Sequence, residues 1–403
     1  MNVMLSLRST AGSRSARFLY ELAATTELAR ACNRLFILNH LRRQKGHSLL
    51  TVLNLTFGTK QRDVRDAVYS KIGLASDSRQ VLPVLDYSKD ARQLFIDLVL
   101  GYIKAKGSLD IFCSVRPETP GSQDHTDLLL PSWVPDWRLD KFEEHLISGV
   151  PISSTALQFC AGGKMKPAVR LLQSDVPEPV NEVLVVTGFV YDSIHPSCLQ
   201  EDTTMMDDRS PDPVQMLAAF CRTLVANHFF VDNGQLAQPV PDATVLELVT
   251  LLKVQFRDEA FLNKFGSHLS SLSQVAGWLP QRLDNFGVLC MEGKTIRSWV
   301  HLCDHFLVEG VSWNRHLEQS VRRMKCSRRV AQGRLSRIYL VPEVCQADDL
   351  ICLLSGCALP MVLRRSQGRY YKVIGPCYAD GIMHGEAMRE HLTHSTLDEF
   401  HLI

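Results

Sequence analysis

The residues of this chain that could do chemistry are thinly spread, and their spacing excludes more than it supports. No G-x-x-x-x-G-K-[ST] loop is present to cradle a triphosphate, and G-x-G-x-x-G, H-E-x-x-H and G-x-S-x-G are absent as well. Gly162-Gly163-Lys164 lacks both the earlier glycine and the Ser/Thr that would hold magnesium, and reads as a turn. His301 and His305 stand four apart on a predicted helix, a spacing at which two imidazoles can share a metal with Asp304 or Cys303 nearby. A stable site needs three or four convergent donors, and Cys303 belongs to the opposite, apolar stripe. His391, His394 and His401 are isolated by sequence and read as a polar tail. The sequence therefore assigns no catalytic residue, no cofactor and no metal. An enzyme would need a site gathered from distant residues such as Asp136, His384 and Glu386.

Two stretches stand out on side-chain chemistry. Arg322 to Arg329 is rich in Arg and Lys, enough for a nuclear-import or phosphate-binding patch, though charge runs of this kind favour a solvated helix end. Leu130-Pro131-Ser132-Trp133-Val134-Pro135-Asp136-Trp137 presents two indoles at fixed spacing. Its prolines hold the backbone extended, and Asp136 between the rings accepts hydrogen bonds. The segment is either an aromatic pocket or an anchor whose tryptophans fill core gaps, and the size of the indole favours the anchor.

The elements that must position these residues follow from periodicity. Over 86–107, Ser88 and Asp90 open a helix with Ala91, Leu94, Phe95, Leu98, Val99 and Tyr102 on one face, and Lys104, Lys106 and Gly107 close it. Asp212-Pro213 opens a second helix that buries Leu217, Phe220, Cys221, Leu224 and Val225. A third, over 296–309, turns Trp299, Leu302, Cys303, Phe306 and Leu307 to one side. The run 181–191 reads as a strand, and 336–378 as a meander of short strands that the earlier strand returns to join. Linkers are expected at 116–127, 174–182 and 201–213, where Pro, Ser and Asp cluster.

Composition sets the outer limits. The 403 residues are 45% hydrophobic and 22% charged, ordinary for a folded protein of two to three domains. With 44 Lys plus Arg against 43 Asp plus Glu, no global field attracts nucleic acid. No apolar run reaches a membrane span, no secretory leader is evident, and the twelve cysteines carry no C-x-x-C. Reduced, mostly buried thiols in a cytoplasmic protein are expected, with a nuclear location open through the basic run. The first 50 residues hold an excess of Arg, which reads as a surface helix or as a mitochondrial presequence.

Four segments, in order, resemble a known family. Asp63-Val64-Arg65-Asp66-Ala67-Val68-Tyr69-Ser70-Lys71-Ile72-Gly73-Leu74 resembles the D-P-R-D-x-V-Y-A-L-L-G-L signature of fungal heterokaryon-incompatibility (HET) domain proteins. Asp86-Tyr87-Ser88 follows where that family has D-Y-S. Leu130 to Trp137 is its L-P-S-W-V-P-D-W unchanged. Cys221-Arg222-Thr223-Leu224 resembles w-R-T-L, and Tyr378 to Ala387 resembles Y-v-x-G-I-M-D-G-E-A, with His384 in place of the Asp. The A-L-S-Y-x-W-G and R-x-W-T-x-Q-E motifs of the HET domain itself, similar in fold to TIR domains, do not occur.

The resemblance implies a region C-terminal to a HET domain, acting in non-self recognition or cell-death regulation through contacts with a protein partner. On this view 1–60 is a helical remnant or tail of a truncated HET domain, and 61–180 a helical region carrying the tryptophan segment. Residues 181–403 are then helices framed by strands. The expected fold class is α+β, mainly helical in the N-terminal and central parts, with a small antiparallel β-sheet or barrel near the C-terminus. The residues carrying the signature, as structural or interaction groups, are Arg65, Asp66, Tyr69, Gly73, Trp133, Pro135, Asp136, Trp137, Gly381, Met383, Gly385 and Glu386. An accessory or degenerate family member encoded beside a biosynthetic pathway is the alternative role.

Overall fold

The computed structural model describes residues 35, 37–39, 41–43, 46–57, 61–116, 128–138, 159–173, 182–196, 212–227, 229–230, 236–237, 240, 242–256, 258, 287–303 and 328–403. Almost all of the expected linkers, the Arg-rich first 34 residues, His305 and residues 322–327 of the basic run lie outside this set. The chain divides into two compact units, Met1–Asp90 with Trp137–Lys141, and Ala91–Asp136 with Phe142–Ile403.

The first unit is built of short helices. Helix α1 (Leu49–Leu55) is opened by Ser48, whose hydroxyl accepts from the Thr51 N–H. Helices α2 (Asp66–Tyr69) and α3 (Ser78–Val81) flank a 3₁₀ turn over Ile72–Leu74. Ile37, Leu41 and Val52 form the apolar centre, with Leu55, Leu74 and Ala75 packed on it. The Leu49 N–H donates to Asp77 Oδ1 at 2.6 Å, which ties the start of α1 to the start of α3.

The second unit opens with helix α4 (Ala91–Lys106), which buries Leu94, Phe95, Leu98, Val99 and Tyr102 as their spacing predicts. Ser88 is not its cap, because the helix begins three residues later and the Ser88 hydroxyl donates to Asp86 Oδ1 at 2.6 Å. A 3₁₀ turn over Asp110–Ser114 follows, then strands β1 (Val169–Gln173) and β2 (Glu182–Ser193). Helix α5 (Pro213–Leu224) is capped by Asp212, which accepts from the Val214 N–H at 3.0 Å. Next come the hairpin β3 (Phe229–Phe230) with β4 (Leu236–Ala237), helix α6 (Asp242–Gln255), and the hairpin β5 (Cys290–Met291) with β6 (Lys294–Thr295). Helix α7 (Ile296–Leu302) stops earlier than the apolar pattern suggests, with Cys303 as its cap. Apolar faces of α5, α6 and α7 pack together around Phe220, Leu252 and Trp299, with Ile338 alongside.

Seven strands and a helix complete the chain: β7 (Arg328–Gln332), β8 (Ile338–Pro342), β9 (Leu350–Leu354), β10 (Met361–Arg365), β11 (Tyr370–Pro376), β12 (Tyr378–Ala379) and, after helix α8 (Glu386–His394), β13 (Asp398–Leu402). Of the expected meander, β9, β10 and β11 pair in succession, whereas β8 pairs with β7 and β12 in a separate sheet. Strands β2, β13, β11, β10 and β9 hydrogen-bond in a closed ring, with β1 added on β2. Closure depends on the length of β2. Its first half pairs with β1 and β13, its second half with β9, and Gly188 pairs with both Asp398 and Leu354.

The ring is not purely antiparallel, since β11 and β13 run parallel. Parallel neighbours need a crossover, and α8 supplies it. Every residue of β8 and β9 is buried, so both read as continuous apolar runs. A three-stranded sheet, β12-β8-β7, packs its Ala331, Tyr339 and Val341 against Ile351, Leu353 and Val362 of the ring. The Arg-rich run ends in a strand rather than a helix. Arg328 and Arg329 open β7 and donate to the carbonyls of Pro376, at 2.7 Å, and Cys345, at 3.0 Å.

Candidate functional site

The closing motif Tyr378 to Ala387 sits between β12 and α8, where two glycines turn the chain. Gly381 at φ 82° and Gly385 at φ 81° occupy the left-handed region that other residues adopt at a cost. Between them Ile382 and Met383 point inward while His384 is exposed. Asp380 accepts both prongs of Arg222 from α5, Nε to Oδ1 at 2.8 Å and Nη2 to Oδ2 at 2.8 Å. The Tyr378 hydroxyl adds a third bond to Asp380 Oδ1 at 3.0 Å. Two motifs 158 residues apart are thus joined by a bidentate, charge-assisted pair, the arrangement that fixes geometry most firmly.

The fork raises the Arg222 pKa, so its charge is spent on Asp380. Burial, then the neighbouring carboxylate, pushes the Tyr378 phenol far above its ordinary value. Glu386 accepts from the His384 N–H at 2.8 Å and closes the turn, and Arg389 donates to the His384 carbonyl at 3.1 Å. The Phe159 ring lies 6.0 Å from Tyr378, edge-on, and 5.6 Å from His384. The Met383 carbonyl accepts from the Cys160 N–H at 2.9 Å. A Cβ on Gly385 would stand 3.2 Å from the Cys160 carbonyl oxygen, so this approach also favours glycine.

In the first unit, the D-V-R-D-A-V-Y and D-Y-S segments form one cluster. Arg65 grips Asp63 through Nε (3.0 Å) and Nη2 (2.7 Å), and its Nη1 donates to the carbonyls of Tyr87 and Lys89. The Arg65 hydrogen bonds hold the Asp63 carboxyl down at about 2. Tyr69 donates to the Asp86 carbonyl at 2.9 Å and Tyr87 to Asp66 Oδ1 at 2.7 Å, with the two rings edge to face at 4.8 Å. Gly73 is the exception among the signature residues. An added Cβ meets nothing within 4 Å and its φ is not positive, so nothing in the structure explains a glycine there.

The tryptophan segment straddles the division, with Trp133 and Asp136 in the second unit and Trp137 in the first. Trp133 is fully buried and Trp137 is 3% exposed, so the rings are core side chains. Pro135 is buried and Asp136 half-buried. The Ser132 hydroxyl donates to the Ile403 carbonyl and accepts from the Val373 N–H at 2.8 Å, which pins the segment beside β11 and β13. Trp137 lies 5.1 Å from Phe57. Among the described residues, neither indole N–H has a hydrogen-bond partner.

His301 has a partner that its sequence spacing does not suggest. Its Nδ1 is 2.9 Å from Asp258 Oδ2, a carboxylate that also takes Lys253 Nζ at 3.1 Å. Lys253 and Asp258 are buried while the His301 side chain is 45% exposed. No local signal could reveal this set, because Asp258 is 43 residues from His301. His391 stacks on Phe189 at 3.9 Å, which makes part of the expected polar tail a packing group. The carboxylates of Asp380 and Glu386 both accept hydrogen bonds that hold the turn. No helix of the described residues is long and apolar enough to cross a membrane. No family model, curated protein or solved structure matches the chain.

Proposed function

We propose that the chain is a heterokaryon-incompatibility-like protein that acts in fungal non-self recognition or cell-death regulation through contacts with another protein. The Arg222–Asp380 fork is the observation that carries this reading. A chance likeness between short segments gives no reason for the Arg of one and the Asp of another to meet in a bidentate pair. The bonds from Arg65 to the Tyr87 carbonyl and from Tyr87 to Asp66 support it in the same way, because they join the D-V-R-D and D-Y-S segments. The contact surface is the exposed turn at Gly381 and His384, held rigid from behind by Arg222, Tyr378 and Glu386. Such a surface recognises by shape and does not need a reacting group.

The test uses paired fungal strains that differ only in this gene. Fusion between carriers and non-carriers should give poorly growing or dying heterokaryons. His384→Ala, which alters an exposed ring and leaves the Arg222–Asp380 fork in place, should relieve the defect. Equal vigour of carrier and non-carrier fusions, in several genetic backgrounds, sinks the reading.

A further inference from the structure

The 3₁₀ turn Asp110–Ser114 has three residues per turn, so side chains three apart stack on one face. Asp110 and Cys113 are such a pair. One donor atom from each, together with Cys357 Sγ in the connection between β9 and β10, lies within 4.8 Å of the other two. The two sulfurs are 3.8 Å apart. A disulfide requires about 2.0 Å. Two thiolates held at about 2.3 Å by one tetrahedral zinc ion stand about 3.8 Å apart.

The surrounding backbone is arranged for such a centre. The Ala358 N–H donates to Asp110 Oδ1 at 2.7 Å, and the Leu359 N–H donates to the Cys113 sulfur. Donors of this kind orient ligands and offset their negative charge. The Leu109 carbonyl oxygen lies 3.8 Å from Cys357 Sγ, close to one tetrahedral edge away. Leu109 N–H and the Ser108 hydroxyl both donate to the Gly356 carbonyl, at 2.9 and 3.2 Å, which fixes the two segments against each other.

We propose that Asp110, Cys113 and Cys357, with the Leu109 carbonyl, form a structural zinc site that staples the turn after α4 to the β9–β10 connection. The inference is independent of the recognition role. Cys113 and Cys357 are buried, so the ion is taken up as the chain folds rather than by exchange at the surface. Binding releases the two thiol protons, since the thiolate is the metal ligand.

Full-length protein from zinc-replete cells, purified without chelator, should carry about one zinc per chain by elemental mass spectrometry. Cys113→Ser and Cys357→Ser should lose it. Asp110→Asn should weaken it by about tenfold or more, and Cys221→Ser, a buried thiol outside the cluster, should retain it. Wild-type protein refolded with cobalt(II) should show thiolate-to-metal charge-transfer absorption, a readout that stands even where a serine variant fails to fold. Wild-type protein with less than about a tenth of a zinc per chain overturns the proposal. So does full loading in both folded cysteine variants, or cobalt-refolded wild type without the charge-transfer band.

Discussion

Trp133 shows how much one side chain can carry without a polar bond. It is fully buried and its N–H has no partner among the described residues, so its contribution is packing alone. Trp133→Ala should cost about 3–5 kcal/mol, whereas Trp133→Phe gives up no hydrogen bond and should cost less than half of that. Thermal melts of the two variants check this; equal losses would mean that the indole N–H is engaged after all.

At Arg222 the polar geometry decides. Arg222→Ala should cost about 1–3 kcal/mol, and Arg222→Lys should recover only part, because a single ammonium cannot reproduce two parallel bonds. A double-mutant cycle with Asp380→Asn should give a coupling above about 0.5 kcal/mol; additive losses would show that the fork is energetically idle. Residue type was legible here and partnership was not. The sequence offers Arg222 and Asp380 as members of two motifs, but only the packing of α5 against the sheet at β12 brings them together. The same holds for Asp258 with His301 and for Asp110 with Cys113 and Cys357.

At the scale of elements, the fold was legible where each strand or helix has its own periodicity. Helices α4 and α5 and strands β8 to β11 announce themselves through apolar spacing and punctuation. The closing pairings do not, because ring closure is a property of β2 as a whole and not of any window along it. Gly188 marks the point. A Cβ there would lie 2.4 Å from the Leu353 carbonyl oxygen of β9, in backbone that has no room to retreat while β13 holds the other edge. Gly188→Ala should cost about 1–3 kcal/mol or more, far beyond the usual small effect of alanine in a strand. Gly73→Ala, with open space around it, serves as the control and should be close to neutral. Chemical denaturation of both separates crowding from glycine loss in general.

Across the whole molecule, none of the described cysteines forms a disulfide, and all but Cys160 are buried. Burial pushes the Cys221 and Cys345 thiols up to about 12, and moves Cys352 and Cys377 in the same direction. Unfolded thiols titrate near about 8.5, so above that pH the unfolded chain has released protons that the folded chain still holds. The stability these thiols contribute is fully present below about pH 8.5 and is lost as pH rises toward about 12. By about pH 10 each of Cys221 and Cys345 should withdraw up to about 2 kcal/mol. Denaturant midpoints under reducing conditions should therefore fall between about pH 7 and about pH 10, and a flat profile would contradict the burial argument. The same calculation was out of reach from sequence, where cysteine burial is a general tendency and not a place.

The ring also sets a timetable. Strand β2 has emerged by Ser193, but its edge partner β13 begins only at Asp398, about 200 residues later. At a synthesis rate of about 5–20 residues per second, β2 waits on the order of 10–40 s with one edge open. During that interval the apolar strand Glu182–Ser193 is available to any other strand, including that of a neighbouring nascent chain. Closure is thus a late event in the life of each molecule, and the yield of folded protein is set by how well β2 is kept apart until its last neighbour arrives.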